Sequence, residues 1–335
     1  MVHRGANASW YPAAKGFYVP PTLIEIERLD ELRAEVFGPV LHVLRWRRDQ
    51  LHQLLQQINA TGYALTLGVH SRIDAFIEQV LRDTRCGNTY VNRNMVGAVV
   101  GVQPFGGDGL SGTGPKAGGP LYLLRLFARC PVDAAKRAVQ AAGGAPPQTC
   151  TRRPLNALYE WAVATGRVRV AHACLQMANS HAAGMEALLP GPTGERNLYQ
   201  VGPRHHVWCR VGNHAGAEDD LLVQIAAVLA VGGQVVLDKT AGALWEHLPQ
   251  AVRALTAAPS GDFPAGVDAA LIHDGPAGIV AFARQLADRE GPIVSLTALP
   301  PGCTEVPLER LVVERSVSLN AAASGGNPGL MTMGG

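Results

Sequence analysis

The chain has 335 residues, which is long enough for two domains of ~100 to 200 residues, each with a core of its own. Its 29 Lys and Arg residues nearly balance its 27 Asp and Glu residues, and no basic run extends beyond Arg45–Arg48, so the charge pattern argues against nucleic-acid binding. Charged residues make up 17% of the chain, below the ~25% usual for soluble domains. A composition of this kind is typical of a subunit or of one part of a larger protein.

No secretory or membrane-spanning segment is predicted. Met1–Asn7 contains no apolar segment, and the longest apolar run, Leu221–Leu237, is interrupted and shorter than the ~20 residues that cross a bilayer. The six cysteines form no C-x-x-C pair, and the adjacent His205 and His206 would point to opposite faces of a strand, so no metal site is predicted. These features predict a soluble protein of the reducing cytoplasm.

The first third of the chain alternates between strand and helix patterns. Residues 1–15 show no periodicity and predict a disordered or truncated start. The patterns that follow predict extended segments in 17–26, 40–45 and 65–70 and helices over 49–60 and 73–85. This alternation indicates an α/β domain with a mainly parallel sheet.

Residues 86–120 are rich in glycine and proline, which predicts a loop instead of a packed element. Such density costs backbone entropy and is accepted where the backbone approaches a ligand, a partner strand or another subunit. Residues 107–112 fit G-x-G-x-x-G, but a dinucleotide loop requires a strand before it and a helix after it. Pro104 precedes the motif, and Pro115 and Pro120 would break a following helix, so no pyrophosphate loop is predicted here.

A second α/β pattern follows a predicted linker at 131–150, whose Ala-Ala-Gly-Gly-Ala-Pro-Pro sequence is typical of a domain boundary. Helices are predicted over 152–171 and 218–231, and Gly232 and Gly233 would end the second of them. A turn-rich loop is predicted over 189–197, and strands in 200–211, 234–237, 269–273 and 293–296.

Three segments together resemble a known family. They are Glu35–Val40, which reads Glu-Val-Phe-Gly-Pro-Val, then Ile58–His70, and the long stretch Asn88–Pro120. They resemble the C-terminal part of an aldehyde dehydrogenase catalytic domain, most closely the glutamate-semialdehyde (pyrroline-5-carboxylate) dehydrogenase module of the bacterial bifunctional proline utilization A family. The resemblance implies an α/β fold made of a partial aldehyde dehydrogenase catalytic domain, residues 16–130, followed by a Rossmann-like α/β domain.

The resemblance implies a role for five residues. Glu35 would hydrogen-bond the nicotinamide ribose hydroxyls of NAD, and Phe37 would lie beside the nicotinamide. The backbone amides of Gly97 and Ala98 would hold the carboxylate of the semialdehyde, and Phe105 would pack against its aliphatic chain. The alternatives are a surface acid at a helix end for Glu35 and a merely structural turn for the loop.

The second half is similar to the C-terminal domain of the longer members of that family. Ile225–Lys239 resembles the helix-to-strand unit of an aldehyde dehydrogenase cofactor domain, but Asp238 and Thr240 break the expected Lys-Pro pair, which argues against nucleotide binding. The resemblance implies a noncatalytic domain over 151–312, and a tail, 313–335, that adds a strand to the sheet of the catalytic domain.

The resemblance also implies what the sequence lacks. The family's catalytic cysteine lies in a different motif from that of Cys86 or any other cysteine here, and neither its NAD-binding domain nor the FAD-dependent proline dehydrogenase domain is present. The chain is therefore predicted to be part of an NAD-dependent glutamate-semialdehyde dehydrogenase, inactive alone. Its expected partners are the missing upstream segment and, in the parent enzyme, further copies of the chain. The alternative is a noncatalytic assembly module that complements a separately encoded dehydrogenase.

Overall fold

The computed structural model describes residues 2–4, 19–146, 153–257, 264 and 266–320. Its mixture of helices with parallel and mixed sheets confirms the predicted α/β class. The predicted disordered start contains one strand, β1 (Val2–Arg4), and otherwise lies outside the described residues, as does the predicted tail beyond residue 320.

The first half, residues 2–129, follows the alternation predicted from the sequence. Its elements are β2 (Thr22–Ile26), β3 (Val40–Leu44), α1 (Leu51–Ala60), β4 (Tyr63–Ala64), β5 (Thr66–Val69), α2 (Asp74–Asp83), β6 (Asn88–Val91) and β7 (Asp108–Gly109). Leu51 and Leu55 of α1, and Ile77 and Val80 of α2, are buried at helical spacing, which explains why both helices form where the apolar pattern predicts them.

Part of the predicted linker is helical. Helix α3 (Ala134–Ala141) buries Ala134, Ala135 and Val139, and the last two belong to the core of the second half, residues 130–320. The apolar face of this helix runs directly into the Gly-Gly-Ala-Pro-Pro sequence, so only the end of the segment has the composition of a linker. The prediction of a linker throughout 131–150 was wrong over the helix.

The second half contains six further helices and eight further strands among its described residues. They are α4 (Arg153–Ala164), α5 (Val168–Ser180), β8 (Glu186–Leu189), β9 (Glu195–Pro203), β10 (His206–Val211), α6 (Ala217–Val231), β11 (Gln234–Leu237), α7 (Gly242–His247), α8 (Gln250–Arg253), β12 (Thr256–Ala257), β13 (Ala269–His273), α9 (Pro276–Ala287), β14 (Ser295–Leu299) and β15 (Val312–Asn320).

Two further predictions for this half were wrong. The single helix predicted over 152–171 is two helices, because Gly166, with φ of 71°, takes the left-handed conformation that ends α4. The loop predicted over 189–197 is shorter, because Glu195–Asn197 already belongs to β9.

A parallel sheet with the order β12-β11-β10-β13-β14 forms the centre of the second half. Helix α6 packs against it and is buried along its length from Asp220 to Val231. The chain runs outward from β10 on one side and from β13 on the other, so the strand order reverses between these two strands.

A second, mixed sheet joins the halves. Its order is β5-β6-β15-β9-β8, and β15 pairs parallel with β6 of the first half and antiparallel with β9. Val317 and Leu319 of β15 belong to the same buried cluster as the apolar residues of α1 and α2. The core of the first half is therefore completed by a strand from the end of the described chain. No helix among the described residues is long and apolar enough to span a bilayer.

Candidate active site

The loop that follows β6, residues 94–102 and here called the anchor loop, is the most exposed apolar segment of the first half. The side chains of Val96 and Val100 are 92% and 95% exposed, and those of Met95 and Val99 are also exposed. Burying apolar surface is favourable. A loop that instead presents four apolar side chains to solvent is therefore suited to contact something other than the described chain.

Gly97 and Ala98, predicted to hold a carboxylate, are adjacent in this loop. Among the described residues, nothing accepts a hydrogen bond from the backbone amide of either, whereas the amides of their neighbours are both bonded. Val96 donates to Oδ1 of Asn94 at 3.4 Å, and Val99 donates to Oε1 of Gln103 at 2.9 Å. A Cβ atom added to Gly97 would meet nothing within 4 Å. The backbone amides of Gly97 and Ala98 are thus both available to a hydrogen-bond acceptor, and the space beside Gly97 is open.

Both ends of the anchor loop are bonded to the second half. Nη1 of Arg93 lies 2.5 Å from Oε2 of Glu195, and Nε2 of Gln103 donates to Oε1 of the same carboxylate at 2.5 Å. Oγ of Ser318, on β15, receives hydrogen bonds from Arg93 at 2.7 Å and from Gln103 at 3.3 Å. Sequence reasoning missed these four residues, and the only signal was the position of Arg93 and Gln103 on either side of the predicted loop.

Phe105 is held by backbone pairing directly after the anchor loop. It forms an antiparallel bridge with Ala117, with N–H···O distances of 3.0 and 2.8 Å, and its side chain is half-buried. The buried Asn88 fixes the backbone on both sides, because its amide group donates to the carbonyl of Pro104 at 2.8 Å and accepts from the amide of Gly106 at 3.1 Å.

Lys116 lies beneath this backbone with its ammonium group inside the protein. Nζ donates to Oδ1 of Asn88 at 3.0 Å and to the carbonyl of Gly106, and burial lowers the pKa of Lys116 to about 8. The backbone amide of Lys116 donates to Oε2 of Glu314 at 2.7 Å, and the hydroxyl of Tyr199 donates to Oε1 at 2.7 Å. Burial raises the pKa of Glu314. This cluster is a second attachment between the halves.

The predicted cofactor residues lie on a different loop, between β2 and β3. The ring of Phe37 is 95% exposed, and Glu35 is exposed while its backbone amide donates to the hydroxyl of Tyr63 at 3.3 Å. Among the described residues, no hydrogen bond joins Glu35 or Phe37 to the anchor loop. Gly97, Ala98 and Phe105 therefore lie on one continuous segment, and the cofactor pair lies on a separate loop.

Cys86 has the environment of a structural thiol. Its side chain is buried, Sγ donates to the carbonyl of Asn88 at 3.3 Å, and burial raises the pKa of the thiol. A nucleophilic cysteine needs a stabilised thiolate and an open path to substrate. The raised pKa disfavours a thiolate at Cys86.

Buried and acidic side chains lie near the point where the parallel sheet reverses its strand order. In α/β folds a nucleotide binds outside the carboxyl ends of such strands, with its phosphates at a helix N-terminus. Here the first turn of α6 carries Glu218, Asp219 and the fully buried Asp220, which pairs with Arg169 at 2.8 Å. Nδ1 of His273, also fully buried, accepts a hydrogen bond from Nε2 of Gln224 at 2.8 Å. Carboxylates at this helix end would repel phosphate.

Residues 3–129 match the aldehyde dehydrogenase family. The fold is similar to a solved structure of proline utilization A (PutA) from Corynebacterium freiburgense, with a TM-score of 0.59 and 23% identity over 90% of this chain and 27% of that one. The chain thus has the fold of the C-terminal part of an aldehyde dehydrogenase joined to a second α/β domain.

Sequence comparison identifies relatives with related names. The chain is 49% identical to bifunctional protein PutA of Escherichia coli K12 over 328 residues, which is 95% of this chain and 24% of that protein. It is 43% identical over 115 residues, 33% of this chain and 22% of the relative, to a 1-pyrroline-5-carboxylate dehydrogenase of Bacillus subtilis. The chain is a homologue of PutA and matches its C-terminal, aldehyde dehydrogenase portion, as predicted. It spans about a quarter of the length of the PutA relatives.

Proposed function

We propose that this chain supplies the C-terminal part of an NAD-dependent L-glutamate γ-semialdehyde (pyrroline-5-carboxylate) dehydrogenase, which acts in the second step of proline catabolism. The observation that carries the proposal is the pair of available amides at Gly97 and Ala98. Two adjacent N–H donors at a small-residue turn suit a carboxylate, which accepts at both oxygens. The half-buried ring of Phe105 would pack against the methylene groups of the same substrate.

The residues on the other loop fit one edge of NAD, which supplies the hydride acceptor when bound. The exposed carboxylate of Glu35 can accept hydrogen bonds from two neighbouring ribose hydroxyls, since both of its oxygens are acceptors. Phe37 presents an uncovered aromatic face to a planar ring. These two residues would orient the nicotinamide end, and the rest of the cofactor would be held by the upstream part of the enzyme.

The exposed side chains at both loops explain why we expect the chain to be inactive alone. Phe37, Val96 and Val100 are each more than nine-tenths exposed, so neither the proposed cofactor loop nor the anchor loop is covered by other described residues. Cys86, the cysteine that precedes β6, is not activated either, since its thiol is buried and its pKa is raised. The upstream dehydrogenase segment would cover both loops and provide the nucleophile.

The test is NAD-dependent oxidation of glutamate semialdehyde. The chain would be assayed alone, and then mixed with the part of E. coli PutA that precedes the matched region. We expect activity in the mixture only. Activity of the chain alone would contradict the proposal that the upstream segment supplies the nucleophile. A stable complex without activity would favour the alternative, a noncatalytic assembly module.

A matched pair of variants locates the substrate site in the same assay. Gly97→Ala and Gly242→Ala both place a methyl group where no atom lies within 4 Å and φ is ordinary, so both variants should fold normally. We expect Gly97→Ala to raise the KM for glutamate semialdehyde about tenfold, because the methyl group competes with the carboxylate, at a cost on the order of 1.4 kcal/mol. Gly242→Ala should change nothing. Equal behaviour of the two variants would remove Gly97 from the site.

A further inference from the structure

One carboxylate of the second half holds both ends of the anchor loop. Glu195 pairs with Arg93, the residue before the loop, through Oε2, and with Gln103, the residue after it, through Oε1. The side chains of Arg93 and Glu195 are each only 14% exposed, so their attraction is weakly screened. The geometry of the loop therefore depends on a residue that lies about one hundred positions away in the sequence.

The neighbours of Glu195 keep its two oxygens in place. Asn197 donates to Oε1 of Glu195 at 3.1 Å, and Ser318 lies directly opposite Asn197 in the pairing of β9 with β15. Oγ of Ser318 receives hydrogen bonds from both Arg93 and Gln103. Both donors are thus bonded to two adjacent strands of one sheet, which is a rigid support for a loop.

The carboxylate is the nearest of three acceptors that orient the Gln103 amide. The NH2 group of Gln103 donates to Oε1 of Glu195 at 2.5 Å and, at 3.3 Å each, to Oδ1 of Asn197 and Oγ of Ser318. Because a carboxylate only accepts hydrogen bonds, the end of the amide that faces Glu195 is the NH2 group. Oε1 of Gln103 is then directed at the amide of Val99, with which it forms the 2.9 Å hydrogen bond. Val99 follows Ala98, so Glu195 acts through Gln103 on the backbone that presents the Gly97 and Ala98 amides.

We propose that Glu195 is a positioning residue for substrate, and that this is a contribution of the second half to the dehydrogenase. The inference rests on the proposed function, in which Gly97 and Ala98 hold the carboxylate of the semialdehyde. Glu195 touches no reacting atom. Its effect is selective for aldehydes that carry a carboxylate, because it fixes only the amides that bind that group.

The test compares Glu195→Gln with Glu186→Gln in the full chain. Glu186, on β8 of the same sheet, accepts a hydrogen bond from Gln200 at 2.5 Å and is exposed, so the control makes the same substitution at a carboxylate whose side-chain hydrogen bond does not involve the loop. In Glu195→Gln, hydrogen–deuterium exchange should become faster in the peptide covering 94–103, because the neutral side chain loses the ion pair with Arg93 and the charge-assisted hydrogen bond from Gln103. Unchanged exchange in this peptide, or the same change in the control, would overturn the proposal.

The kinetic part of the test uses the mixture with the upstream segment and two substrates. For Glu195→Gln we expect the KM for glutamate semialdehyde to rise about tenfold or more with little change in kcat, and the KM for propanal, which lacks a carboxylate, to stay the same. Equal losses for both aldehydes would overturn the role. If the wild-type mixture oxidises neither aldehyde, the proposed function fails and with it the substrate role, while the exchange measurement still decides whether Glu195 fixes the loop.

A milder variant covers the case in which Glu195→Gln does not fold. Ser318→Ala removes the hydroxyl shared by Arg93 and Gln103 and leaves the ion pair in place. It should shift exchange and KM in the same directions by less. If Glu195→Gln does not fold, and Ser318→Ala folds with unchanged hydrogen exchange and unchanged KM, the cluster of Arg93, Gln103, Glu195 and Ser318 has only a structural role. That result would overturn the proposal.

Discussion

Helix α6 of the second half is buried at every residue from Asp220 to Val231, whereas α1 and α2 of the first half bury only two residues each. The second half encloses its parallel sheet with its own helices. The first half completes its core with Val317 and Leu319 of β15 and leaves apolar side chains of two loops in solvent. The second half thus buries its core with its own helices, whereas the first half leaves apolar surface exposed that a further segment could cover.

The difference in burial between the two halves agrees with the way in which the second half supports the first. A strand from the end of the described chain lies in the middle of the mixed sheet, so the second half stabilises the first through β6 and through the two ends of the anchor loop. Phe37 and the apolar side chains of the anchor loop stay exposed, and we propose that the upstream segment packs there. A core that is supported from within the chain beside exposed apolar loops is the pattern expected of a part that completes a larger enzyme.

The largest expected effect comes from breaking the link that β15 provides. Val317→Asp would place a carboxylate in the core shared with α1 and α2, at a cost of about 3 to 5 kcal/mol. We expect hydrogen exchange to become fast in residues 51–60 and 74–83 and to stay slow in α6. Leu188→Asp, at an exposed position of β8, is the control and should cost less than about 0.5 kcal/mol. Loss of protection in α6 as well would show that the halves are one cooperative unit.

A smaller effect is expected at Lys116, where the halves meet. Its pKa is lowered from 10.5 to about 8, so the folded chain loses this proton before the unfolded chain does. Between about pH 8 and pH 10.5 the unfolded chain binds more protons, and the free energy of unfolding should therefore rise with pH in this window. The rise is on the order of 3 kcal/mol, and below pH 8 the contribution is constant.

The comparison variant for this prediction is Lys116→Met, which keeps the length of the side chain and removes the charge. Other groups titrate in both proteins, so the quantity to plot is the difference in free energy of unfolding, wild type minus variant, from urea titrations between pH 7 and about pH 10. A flat difference across this range would mean that the ammonium group is solvated in the folded chain.

Local periodicity predicted much of the fold. The spacing of Leu51, Leu55 and Ile58 and the glycine at 232 mark helices α1 and α6 to within two residues, because both signals lie within the helix or directly at its end. The helix break at Gly166 was missed because the apolar pattern continues through it, and helix α3 was missed because a true linker sequence follows it directly.

Some residues of the candidate site could likewise be predicted from the sequence, and others could not. Gly97, Ala98 and Phe105 lie in one continuous motif, which is why the resemblance predicts them together. Glu195 could not be found in this manner, since its bonds to Arg93 and Gln103 span 102 and 92 residues and depend on the register of β9 against β15. No periodic pattern in the sequence encodes a contact between two halves of a chain.

The most direct test of the account is a hydrogen-exchange footprint of the chain before and after mixing with the upstream part of E. coli PutA. We predict that protection increases in peptides covering residues 36–41 and 94–101, which carry Phe37, Val96 and Val100, and that the double variant Val96→Ser/Val100→Ser weakens the effect without altering the free energy of unfolding of the chain alone. A complex that protects α7 to α9 of the second half and leaves both loops exchanging as before would contradict the central claim that the first half is the side completed by the missing dehydrogenase segment.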